Sequence, residues 1–127
     1  LFPLPHMLIN TEAQEFFASL SAHSDIASEL VSALKRLGDY EIVSANRLEY
    51  GAFYAVTTNI AFCGASGMHD TYWRLRPSDV SIALASGADP APIGPDWVKI
   101  ECFRSDWPKP DLLHWALRAY DFARTGA

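Results

Sequence analysis

TYWRLRPSDVSIALASGADPAPIGPDWVKIECFRSDWPKPDLLHWALRAYDFARTG, running from Thr71 to Gly126, is the stretch whose reading decides the fold. It opens on alternation, with His69, Thr71, Trp73 and Leu75 opposed to Asp70, Tyr72, Arg74 and Arg76, the period of two that a strand imposes. Pro77-Ser78-Asp79 then starts a short helix through about Ser86, because proline suits a first turn where its missing N–H would have no partner. Gly87 stops that helix. The stiff segment Asp89 to Pro95 leads into a strand from Trp97 to Phe103. Trp107-Pro108-Lys109-Pro110 makes a rigid corner, and Asp111 caps a closing helix. That helix sets Leu112, Trp115, Ala116, Ala119, Tyr120 and Ala123 on one side and Lys109, Arg118, Asp121 and Arg124 on the other.

Working back toward the N-terminus, Thr11 to Gln14 matches a capping box and predicts a helix bearing Phe16, Phe17 and Leu20. Ser24, with Asp25 in the dipole-favoured first turn, predicts a second helix. Its Ile26, Leu30, Val31, Leu34 and Leu37 form one buried face, and Gly38 ends it. Tyr40 to Tyr50 alternates as a strand. Gly51 reverses the chain, Phe53 to Cys63 reads as a long second strand, and Gly64 to Gly67 as the next turn. The order is α-α-β-β-β-α-β-α. It predicts an α+β two-layer sandwich, a four-stranded, mainly antiparallel sheet with helices packed on one face.

A chain of 127 residues that is 50% hydrophobic can bury one core and is too short for two. Residues 7–127 are expected to form a single domain, and residues 1–6, ending at His6 before Met7, read as a vector-derived tail. The net charge of −5 argues against a surface built to neutralise phosphates, so nucleic acid is an unfavoured partner. Cys63 and Cys102 lie far apart in apolar surroundings and outside any C-x-x-C spacing, which predicts free buried thiols and a cytoplasmic location. No apolar run approaches the length of a membrane span.

The run Tyr72-Trp-Arg-Leu-Arg-Pro77, the short helix, Gly87-Ala88, a proline-containing loop, Trp97-Val-Lys-Ile100 and a helix holding Ala119-Tyr120-Asp121 resemble the second half of the MmcQ/YjbR-like family. The resemblance implies a small α+β fold. It carries no functional residue to this chain, and the DNA-binding role often attached to that family by analogy of fold is not transferred.

Three constellations could carry chemistry. Cys63 with His69 and Asp70 flanks a turn and offers a thiol, a base and an orienting carboxylate, the parts of a thiol-dependent enzyme, provided that Cys63 and His69 share a sheet face. Asp70, Tyr72, Arg74 and Arg76 share a strand face, where the arginines could take an anion or a partner's carboxylate; the plainer reading is a solvent-facing row. Trp107 is a loop aromatic of the kind enriched at binding surfaces. The polar Thr57, Thr58 and Asn59, read as mid-strand, leave room for a pocket bounded by Tyr50, Phe53 and Trp73, or for a sheet face that pairs in a homodimer. His6, His23, His69 and His114 show no metal-ligand spacing, and no cofactor motif is present. The expectation is a non-enzymatic module that binds a protein or small molecule, with the thiol enzyme as its alternative and nucleic-acid binding third.

Overall fold

The computed structural model describes residues 5–18, 20–37, 47–49, 52–55, 58–102 and 111–125. In chain order these form α1 (Pro5–Ala18), α2 (Ser24–Lys35), β1 (Arg47–Glu49), β2 (Ala52–Ala55), β3 (Ile60–Ser66), β4 (Asp70–Arg74), α3 (Pro77–Ala85), β5 (Asp89–Pro90), β6 (Trp97–Glu101) and α4 (Leu112–Arg124). The strands make one sheet in the order β1-β2-β3-β4-β6-β5, antiparallel at every pairing. The α+β class is the one the sequence predicts, and the order of elements follows the prediction apart from two added strands.

The extra strands have local causes. The predicted strand from Phe53 to Cys63 is two strands, folded back at a turn where Asn59 takes φ 60°. Asparagine tolerates that left-handed conformation, which a β-branched residue resists. The other addition is the two-residue β5 on the far edge. Gly64, expected in a turn, lies inside β3, and Gly67 at φ 61° makes the turn instead. The ring of Phe17 explains Gly64, since a Cβ there would stand 2.5 Å from its Cζ.

The hairpin of β2 and β3 carries a bulge. Phe53 pairs with Cys63 and Tyr54 with Ala61, leaving Phe62 as an extra residue. A bulge shifts the alternation by one, so Phe62 and Cys63 both belong to the core beneath α2 and α4. Trp73, Leu75, Val98 and Ile100 join them from β4, β6 and the residue after β4. Each large apolar side chain buried there contributes roughly 1.5–3 kcal/mol.

Helices cover both faces of the sheet, where the sequence places them on one. A second core of Ala13, Phe17, Tyr54, Ala61, Tyr72 and Trp97 lies under α1. Helix α1 runs alongside β3. Asn10 meets Ala61 and Phe17 meets Gly64, so seven residues of helix, about 10.5 Å at 1.5 Å per residue, span three of strand, about 10 Å. Helix α1 spans Pro5–Ala18, so Thr11 lies inside it and not at its first turn. At α2 the cap is His23, one residue before the predicted Ser24, its Nδ1 accepting the Asp25 N–H at 3.1 Å.

The turn between β2 and β3 fastens both layers. Asn10 Nδ2 donates to the Asn59 carbonyl at 2.7 Å, and Thr58 Oγ1 donates to the Ala123 carbonyl of α4 at 2.8 Å. Thr58 and Asn59 therefore sit in a turn and anchor helices, where the sequence reads them as mid-strand. Thr57 and Tyr50, which the sequence also assigns to the pocket expected there, lie outside the described residues.

Candidate functional site

The sequence-proposed residues separate in space. Cys63 is fully buried opposite Trp73, whereas Asp70 pairs with Ser66 three positions along, about 10 Å away, and alternates onto the other face. His69 is exposed in the turn that precedes β4. Burial raises the Cys63 thiol well above its ordinary value, the reverse of what a nucleophilic thiolate requires. The structure thus does not bring Cys63, His69 and Asp70 together, and the second cysteine, Cys102, is likewise a buried thiol outside any disulfide.

Asp70, Tyr72 and Arg74 do share a face, but α1 covers it, so neither Tyr72 nor Arg74 faces solvent. The Tyr72 hydroxyl hydrogen-bonds Ser66 at 2.9 Å, and its ring packs edge-on against Phe16 and Phe17. Burial makes the phenol a weaker acid, raising its pKa above the ordinary value, and the Ser66 bond partly offsets that. Arg74 lies 3.7 Å from the Asp96 carboxylate, and its guanidinium stands 4.2 Å from the centre of the Phe122 ring. Desolvation pulls Arg74 below its ordinary value, while Asp96 and Glu12 push it back. These are structural attachments. Trp107 lies outside the described residues.

Arg76 has a different setting. It precedes Pro77, which forces an extended backbone, here φ −60° and ψ 152°, and makes Arg76 the N-cap residue of α3. Its side chain crosses to α4, where Nη1 lies 2.9 Å from Asp121 Oδ2, and its guanidinium stands 5.2 Å from the Phe122 ring.

Beside this crossing a cleft of about 410 Å³ opens between α3 and α4, lined by Arg76, Asp79, His114, Leu117, Arg118, Tyr120 and Asp121. The α4 members recur at helical spacing, so His114, Leu117, Arg118 and Asp121 form a stripe beside the apolar face that seats Trp115, Ala116 and Ala119. Asp79 comes from the first turn of α3, where the helix dipole favours a carboxylate.

The charges of the cleft are held in a fixed arrangement. Arg118 Nη1 donates to Asp79 Oδ1 at 2.7 Å, and its Nε donates to His114 Nε2 at 3.0 Å. The second bond needs a neutral imidazole carrying its proton on Nδ1. The Asp79 side chain is 9% exposed and that of Arg118 is 41% exposed, so the carboxylate is the hidden partner and the cation the presented one. The Arg124 bond, with help from Arg76, keeps the Asp121 carboxyl below its ordinary value against the opposing effect of burial.

The sequence pattern sets Arg118 and Asp121 on an exposed helix face, but nothing in it joins them to Asp79, which belongs to a helix start 39 residues before Arg118. The spacing of His114, Arg118 and Asp121 at four and three residues was the available signal. Among the described residues, no three of His, Cys, Asp and Glu are grouped to hold a metal ion, and no helix is long and apolar enough to cross a membrane. Compared with family models, curated proteins and solved structures, the chain finds no match.

Proposed function

We propose that this protein is a non-enzymatic binding module whose ligand site is the cleft between α3 and α4. The observation that carries the reading is the Arg118 assembly. A partly exposed guanidinium is fixed from behind by a nearly buried carboxylate and from the side by an imidazole, at the wall of an open cleft. Such pre-orientation lowers the entropy lost when a ligand is bound. The cleft volume falls within the range of small-molecule sites, roughly 300–1,000 Å³. What favours binding over thiol catalysis is that the only two cysteines are buried, one of them with its acidity suppressed.

Amide chemical shifts of the labelled protein, followed against a chemically mixed set of small fragments, test the reading. Saturable changes should cluster on the first turn of α3 and on residues 114–121. Fragments that move signals only elsewhere, or none at all, would refute it.

A further inference from the structure

The ligand class follows from the same cleft, and the inference rests on the binding reading above. Two arginines, Arg76 and Arg118, and two carboxylates, Asp79 and Asp121, line the cleft, and each carboxylate is ion-paired to one of the arginines. Among the described residues, Asp79 and His114 engage Nη1 and Nε of Arg118, and Nη2 has no such partner. Leu117, 39% exposed, supplies an apolar wall beside it.

We propose that the cleft binds a small monoanionic carboxylate bearing a short aliphatic group, with the carboxylate on Arg118 and the aliphatic group against Leu117. A dianionic phosphate would meet more repulsion from the two fixed carboxylates, Asp79 and Asp121, than a singly charged carboxylate does. Guanidinium also suits a planar carboxylate, whose two oxygens can share its donors. The ligand leaves the Asp79 bond intact, because breaking it would strand a nearly buried charge.

The test titrates the full chain, at constant ionic strength, with 3-methylbutanoate, its uncharged amide and inorganic phosphate, reading amide shifts of residues 114–121. The carboxylate should saturate these shifts, and the amide should bind at least roughly tenfold more weakly, having lost the charge-assisted contact. Arg118→Lys keeps a cation for Asp79 but removes Nη2, and should weaken the carboxylate by about tenfold while leaving the fold intact. Arg118→Gln should abolish binding; if that variant unfolds, the lysine variant still decides.

Equal binding of acid and amide, or indifference to Arg118→Lys, would overturn the assignment. So would phosphate saturating the cleft in preference to the carboxylate. Neutral fragments that fill the cleft while carboxylates do not would sink the ligand class and leave the binding module standing. No occupant of any kind would remove both.

Discussion

The two faces of the sheet are closed by different means. Beneath α2 and α4 the seal is almost wholly hydrocarbon, built on Trp73, Phe62, Ile26, Leu30 and Leu34. Beneath α1 a smaller apolar patch is supplemented by polar fasteners: Asn10 on the hairpin turn, Gln14 on the Tyr54 hydroxyl at 3.0 Å, Ser66 on Tyr72, and Arg74 on Asp96. The difference separates bulk stability from register. Hydrocarbon supplies most of the free energy but tolerates sliding, whereas directional bonds fix which residue of α1 meets which residue of β3.

Truncation should cost the two faces different amounts. Trp73→Ala removes the largest fully buried side chain and should cost about 3–5 kcal/mol in urea unfolding. Under α1, Asn10→Leu should cost less, about 1–3 kcal/mol, chiefly by leaving the buried Ala61 N–H without the acceptor it has at 2.7 Å. An asparagine substitution as costly as the tryptophan one would show that α1 carries bulk stability too.

Gly64→Ala crowds the α1 face, because the new methyl meets the Phe17 ring. About 1–3 kcal/mol of overpacking is expected, largely relieved when Phe17 is shortened to Leu in the same chain. Additive costs in the double mutant would mean that the two residues do not meet.

Two titratable groups mark the extremes of pH. Cys63 has a raised folded value, so its contribution is fully present below the ordinary thiol value of ~8.5 and is lost as pH rises through the higher folded one. The native protein should resist alkylation at neutral pH and react only on unfolding; rapid native labelling would revive the thiol reading. Asp121 has a lowered folded value, so its contribution is present above ~3.9 and is lost as pH falls through the folded one. Being well exposed, it should matter least: Asp121→Asn should cost below ~1 kcal/mol and flatten the acid limb of a melting-temperature profile.

What could be read in advance follows the range of the interaction. The closing helix was legible because Leu112, Trp115, Ala116, Ala119 and Ala123 repeat at helical spacing, and each is buried. The bulge at Phe62 was not, since one extra residue leaves a run of apolar residues unchanged in composition. Gly64 invited a turn because the cause of its missing side chain, Phe17, lies 47 positions earlier. The cleft was hidden for the same reason. Asp79 and Arg118 stand 39 residues apart, and no spacing rule joins them. Arg74 and Arg76 look equivalent as neighbours in a strand pattern, but the proline after Arg76 redirects one of them out of the sheet.

The link between α1 and α2 passes over the end of the sheet, and Ala22 forms a one-residue parallel bridge with Gly67 there. His23 N–H donates to the Gly67 carbonyl at 2.7 Å, and Gly67 N–H to the Ser21 carbonyl at 2.8 Å. This clasp joins the crossover to the tip of the β3–β4 hairpin, so α1 cannot lift from its face as a whole without opening it. Two amide protons, those of His23 and Gly67, are therefore built-in clocks for that motion. Their hydrogen-exchange rates, set beside those of the inner residues of β3, report how often the first helix undocks while the rest of the molecule stays folded.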